Sequence, residues 1–344
     1  MIELNNFQTQ KGLSCHMACA KNILAFYEAD ISECLLYAIG KGFRYIYNRD
    51  PKWHNNKYRI HTDVPLTLNN FFDRFQIEYT LIENMENEIA EEYLIKSLQN
   101  NEPLMIGVIN NDLTYDLDYA SHSKDWAHIV VATGLDLDQQ KIKISDGFIP
   151  SNPPRLYAGW YSYKIIKETR EKRNNWCYKI GYESVKKFKK QFDNEMLIEE
   201  HLVPNLKECI LEMLDGKIVE DNYYGIEALK KYHEVLMNFT DYFAGDFDKE
   251  LLQQNIDMKV EGFIDNKKYL FQVVNELSII KHSNDLMEIS EKLEVNLEEW
   301  IKFCLLMVKV ALSEDRKKVV LLAKRFEEIY KEEIALYNTL LNYL

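Results

Sequence analysis

Asp125-Trp126-Ala127-His128-Ile129-Val130-Val131-Ala132-Thr133-Gly134-Leu135-Asp136, followed after Leu137-Asp138-Gln139-Gln140 by Lys141-Ile142-Lys143-Ile144-Ser145-Asp146, decides how this chain folds. A β-branched run that stops at Gly134, a polar turn and a second apolar alternation read as an antiparallel hairpin. His128 opens the first strand and Asp146 closes the second, so pairing across the turn brings an imidazole beside a carboxylate. A carboxylate so placed accepts one ring N–H, fixes the tautomer and leaves the other nitrogen for a nucleophile.

Upstream, Gln8 to Ser14 shows no helical period, whereas Cys15, Met17, Ala18, Cys19, Ile23, Leu24, Phe26 and Tyr27 recur at helical spacing. The pattern predicts a helix that starts at or near Cys15, with Gly12 loosening the backbone just before it. A thiolate there meets free backbone N–H groups and the positive end of the helix dipole, which favours ionisation near neutral pH. Cys19, one turn further on, lacks that setting. Taken alone, both cysteines read as small apolar core residues. Taken with the hairpin, Cys15, His128 and Asp146 read as a dispersed triad for thiol acyl-transfer chemistry.

Gly12-Leu13-Ser14-Cys15-His16-Met17-Ala18-Cys19-Ala20-Lys21-Asn22-Ile23-Leu24, then Ile31-Ser32-Glu33 and Gly40-Lys41-Gly42-Phe43-Arg44-Tyr45-Ile46-Tyr47, resembles the N-terminal domain of the butirosin biosynthesis protein H family. His128 to Asp136 and Ser145-Asp146-Gly147 fit the same family's second half. That family is similar to papain-like and bacteriocin-processing cysteine peptidases, and its founding activity transfers an acyl group from a carrier-protein thioester to an amine. The resemblance implies Cys15 as nucleophile, His128 as base and Asp146 as its orienter. It also implies an acyl carrier protein bearing a phosphopantetheine thioester as donor and a small-molecule amine as acceptor. Thioester exchange is nearly isoenergetic and an amide is more stable, so no cofactor or metal is expected.

Where the family usually places a histidine immediately before the cysteine, this chain has Ser14, with His16 on the other side. Papain-like enzymes also carry a glutamine ahead of the nucleophile as an oxyanion donor, and Gln8 and Gln10 straddle that spacing; either, or neither, fills the role. Glu33, Tyr47 and Trp126 are the expected substrate-side neighbours. N-terminal capping of the next helix explains Glu33 equally well, and the aromatic, amide-rich stretch around Tyr47 also suits a half-buried loop.

At 344 residues the chain exceeds what one core fills comfortably. Pro150-Ser151-Asn152-Pro153-Pro154 closes the part that carries the triad, and after Gly262 neither Gly nor Pro appears. The reading is α+β: a catalytic domain with an antiparallel sheet over 1–165, which the resemblance implies is papain-like, a basic connecting segment over 166–182, and an all-α domain over 183–344. Net charge of −13 argues against a general nucleic-acid binder. Between Arg155 and Lys190, eleven Lys or Arg stand against three Glu, a local +8 that reads as a solvated connecting helix or as a docking face for an acidic partner. Six cysteines without metal spacing or a disulfide framework, an N-terminus without a basic region, and no run of ~20 apolar residues predict a cytoplasmic protein that does not enter membranes. The expected activity is a cysteine-dependent acyltransferase of antibiotic biosynthesis, of the peptide or aminoglycoside type. The same triad with water as acceptor makes a peptidase or amidase, and a silent triad leaves a binding scaffold.

Overall fold

The computed structural model describes residues 1–48, 59–116, 126–149, 155–191, 196–243, 246–260, 262–313 and 315–344. Its elements in chain order are β1 (Ile2–Glu3), α1 (Cys15–Phe26), α2 (Glu33–Ile39), β2 (Ile46–Asn48), β3 (Arg59–His61), α3 (Val64–Arg74), β4 (Tyr79–Ile82), α4 (Asn87–Gln99), β5 (Leu104–Ile109), β6 (Ala127–Asp136), β7 (Lys141–Ile149), β8 (Arg155–Ser162), α5 (Tyr163–Lys172), β9 (Cys177–Ile180) and α6 (Tyr182–Gln191). There follow α7 (Val203–Asp215), β10 (Lys217–Val219), β11 (Asn222–Tyr224), α8 (Ile226–Met237), α9 (Phe239–Tyr242), α10 (Phe247–Val260), α11 (Phe263–Ile280), α12 (Asn284–Leu312) and α13 (Val319–Leu340). The architecture is α+β, and it divides into two compact units: Met1–Leu36 with Leu68–Asn194, and Tyr37–Thr67 with Glu195–Leu344.

The first unit is built on an antiparallel sheet of order β4-β9-β5-β6-β7-β8, with β1 added to β6. Strand alternation sends Leu104, Ile106, Val108, Val130, Ala132, Ile142 and Ile144 into one core with Leu94 and Leu98 of α4 and Ile166 of α5. Helix α1 packs on β6 and β7. Its residues Met17 to Leu24 are buried without a break, so it is an enclosed helix rather than an amphipathic surface one. The β6–β7 hairpin forms where the sequence places it. Asp136 Oδ1 accepts the N–H groups of Asp138 and Gln139, both at 3.1 Å, and fixes the turn.

The segment 166–182 is part of this unit rather than a connector. β9 pairs with both β4 and β5, and Thr169 Oγ1 accepts the Ile109 N–H at 2.6 Å. The local excess of cations is answered in space by carboxylates remote in sequence: Arg155 pairs with Asp116, Lys167 with Glu91, Lys172 with Asp112, Lys179 with Glu102 and Lys189 with Glu28. The proline cluster 150–154 lies outside the described residues.

The second unit is mostly helical but not all-α, because β10 and β11 form a hairpin in a sheet of order β10-β11-β2-β3. Gly216 and Gly225, both at φ 60°, bracket that hairpin. Residues 37–67 belong to this unit because β2 pairs with β11 and Tyr45 reaches its core. There Lys267 Nζ meets Glu333 Oε1 and Oε2 at 2.9 and 2.7 Å and donates to the Tyr45 hydroxyl at 2.7 Å. Trp300 Nε1 donates to Glu333 Oε2 at 2.7 Å, and the Tyr45 and Tyr337 hydroxyls also donate to Glu333. The ammonium lies 4.1 to 4.4 Å from the ring centres of Phe263, Tyr45 and Trp300. Burial pulls Lys267 down to about 8 against the opposing pull of Glu333. Among the described residues, no helix is long and apolar enough to cross a membrane.

Candidate active site

Ser14 is extended, at φ −140° and ψ 142°, and Cys15 is the first residue of α1. The approach to that helix start is held from three sides. Gly12 N–H donates to Gly147 O at 3.0 Å. Glu33 accepts the N–H groups of Leu13, at 3.0 and 3.1 Å, and Ser14, at 3.1 Å. From within α1, Asn22 exchanges two hydrogen bonds with the Gln10 backbone, and Lys21 Nζ donates to Lys11 O at 2.5 Å. These bonds explain two polar side chains in the buried run of the helix. The loop must also lie very close to its supports. A Cβ on Gly12 would stand 2.5 Å from Ala18 Cβ, and one on Gly147 would stand 2.8 Å from Gln10 O.

His128 comes from β6 and Asp146 from β7. Because Val131 pairs with Ser145, Asp146 is the diagonal rather than the direct neighbour of His128, and side-chain alternation puts both on one face. Asp146 Oδ2 lies 3.0 Å from His128 Nε2 and accepts the Tyr115 hydroxyl at 2.7 Å. Its Oδ1 accepts the Phe148 N–H at 3.1 Å. The carboxylate is fully buried, and these bonds replace the water it has lost. Tyr115 is itself stacked on Tyr157, with ring centres 4.1 Å apart.

His128 also hydrogen-bonds the Cys15 sulfur. A second imidazole approaches from the helix itself, with His16 Nδ1 3.6 Å from Cys15 Sγ. The edge of the His16 ring meets Trp176, whose centre is 6.1 Å away. Burial raises the Cys15 thiol, yet the charge of His16 and the hydrogen bonds from His128 and His16 outweigh it and bring the thiol down to about 5. Burial pulls His128 down, but Asp146 and then Cys15 lift it to about 10. Near neutral pH the pair is thiolate and imidazolium. Cys19 is the internal contrast. Burial first, then the charges of Cys15, Asp146 and Glu33, push it well up, and its thiol donates to Ile129 O at 3.5 Å.

The structure thus brings Cys15, His128 and Asp146 together, and it places the other expected residues differently. Gln8 and Gln10 are exposed, and what is fixed of Gln10 is its backbone. Glu33 does not face outward as a substrate contact: its buried carboxylate braces the nucleophile loop. Tyr47 lies in the core of the second unit, packed on Tyr223 and Tyr232, so it is not placed as a substrate contact either. Trp126 is half-buried two residues before His128, its backbone paired with Asn110. Three neighbours of the triad are not read from the sequence. His16 was visible only as a departure from a family pattern, Tyr115 sits in a stretch without periodicity, and Trp176 is hidden among cations. Among the described residues, no group of three His, Cys, Asp or Glu is arranged to hold a metal ion.

Residues 14–147 match the family model for butirosin biosynthesis protein H, N-terminal. This stretch of the chain is similar to that family's N-terminal domain. It contains all three triad positions, and it draws on both structural units because residues 37–67 lie in the second. No curated protein matches the chain.

Proposed function

We propose that the chain is a cysteine acyltransferase of antibiotic biosynthesis that moves an acyl group from a carrier-protein thioester to a small amine. The observation that supports this reading is Cys15 at the start of α1, hydrogen-bonded to His128, itself held by Asp146, inside a segment that matches a family named for butirosin biosynthesis. In this mechanism the Cys15 thiolate adds to the acyl carbon. The backbone N–H groups in the first turn of α1, which have no partner within the helix, receive the developing oxyanion. The donor thiol leaves, and the amine takes the acyl group from Cys15. All six cysteines are free thiols, which supports a reducing compartment such as the cytoplasm.

The test uses the acetyl thioester of N-acetylcysteamine. Intact mass should show an acetyl adduct on Cys15 and none in Cys15→Ala, and added amine should give amide faster than free acid accumulates. Free acid formed at an amine-independent rate would make the protein a hydrolase. No adduct, together with ordinary Cys15 alkylation by iodoacetamide, would leave a binding scaffold.

A further inference from the structure

We propose that His16 is a second catalytic imidazole of this site, exchanging the proton of the departing and entering groups while His128 and Asp146 hold the nucleophile. This deepens the acyl-transfer reading and rests on it for the transfer steps.

The two imidazoles around one sulfur are not equivalent. His128 is buried, and one of its nitrogens is committed to Asp146 at 3.0 Å. Tyr115 and the Phe148 N–H fix that carboxylate in turn. Such a group is suited to keep its proton and pair with a thiolate. His16 reaches the same sulfur at 3.6 Å from the next position of α1, and it is half-exposed. Its ring is oriented by the edge-on contact with Trp176. Trp176 is itself seated against the open Cα of Gly107, where a Cβ would come within 3.2 Å of it. One imidazole is thus locked by an acid, and the other, half-exposed, is aimed at the sulfur without such a lock. Among the described residues, Arg173, after α5, and Cys19, on α1, also interact with the thiol.

The steps balance as follows. Cys15 S⁻ bonds to the acyl carbon and the donor's C–S bond breaks, its electron pair leaving on sulfur. That sulfur takes the proton carried by His16, which becomes neutral. The amine nitrogen then bonds to the acyl carbon and gives its proton to His16. The acyl–Cys15 bond breaks, and the electron pair returns to sulfur as thiolate opposite protonated His128.

The experiment compares wild type, His16→Gln, His16→Lys and His128→Gln in two assays, with folding checked by circular dichroism. Cys15 alkylation by iodoacetamide is followed against pH by mass spectrometry. His16→Gln should move the alkylation midpoint to higher pH and slow the reaction near pH 6 by about tenfold or more, while His16→Lys should restore it by charge alone. Acetyl transfer from the N-acetylcysteamine thioester to an amine should stay slow in both His16 variants, because a lysine cannot return the proton near neutrality. Superimposable alkylation profiles for wild type and His16→Gln would overturn the proposal, as would transfer at the wild-type rate by His16→Lys. If wild type alkylates with a low midpoint but forms no acetyl adduct, the acyltransferase reading fails, and the alkylation profiles alone still decide whether His16 acts on the sulfur.

Discussion

Two cysteines one helical turn apart meet opposite fates, and the difference lies in their neighbours. Cys15 stands between two imidazoles at a helix start, whereas Cys19 faces a carbonyl in the core. At pH 7, iodoacetamide should modify Cys15 in the folded protein and leave Cys19 untouched, as peptide mapping would show; equal labelling would contradict the assigned ionisation. The pH window follows from the same pair. The thiol is held at about 5 and His128 at about 10, so the ion pair forms as pH rises through the first value and is lost through the second. Asp146 supplies the leading upward pull on His128. Asp146→Asn removes a negative charge, makes the imidazolium easier to deprotonate, and should therefore draw in the alkaline limb of a rate profile while leaving the acid limb nearly in place.

At the scale of elements, the site depends on how closely a loop, a helix and a strand approach. Gly147→Ala would push the end of β7 away from Gln10 and α1. A displacement near 1 Å can cost about a hundredfold in rate, so the acylation rate should fall far more than the melting temperature. Parallel losses in both would mean that the glycine serves packing alone. The hairpin and the Cys15 helix were legible because each rests on a local pattern: the β-branched run of Ile129 to Val131 with its polar turn after Gly134, and the apolar residues that recur from Cys15 to Tyr27. The brace was not. Glu33 binds Leu13 and Ser14 through a contact no spacing encodes, and a capping pattern at the start of α2 explained the residue locally. β9 was hidden because the cations of 155–190 outweighed the short apolar run at Cys177, Tyr178 and Ile180. The alternation of Lys217 to Tyr224 was too brief to separate from the surrounding helices.

At the scale of the whole molecule, the second unit is centred on a buried ion pair. Glu333→Gln leaves an ammonium enclosed by aromatic rings, and breaking such a pair typically costs about 3–5 kcal/mol. Urea unfolding should show a loss of that order, and Lys267→Met added to Glu333→Gln should recover a large part of it, because no enclosed charge remains and the amide can accept from Trp300 through its oxygen while its NH2 donates to the tyrosine hydroxyls. No recovery would mean that the hydrogen-bond geometry, rather than the unpaired charge, sets the cost. The chain also enters each unit twice, a division that a single boundary near 165 or 183 does not capture. Expression of 195–344 alone removes β2, β3 and the Tyr45 hydroxyl, and should give a less cooperative unfolding transition than the same unit shows in the full chain.

The split ownership of residues 37–67 sets a timetable for the newborn polypeptide. Tyr45 leaves the ribosome nearly three hundred residues before Glu333 is made. At ordinary translation speeds that is a delay on the order of 10–60 s. During that interval the first unit lacks only residues still to come before 195, while the early tyrosine waits without its mate. Maturation of the two halves is therefore staggered, and a pulse-labelled chain released early should acquire protease resistance around α1 and the β6–β7 hairpin well before it does around β2.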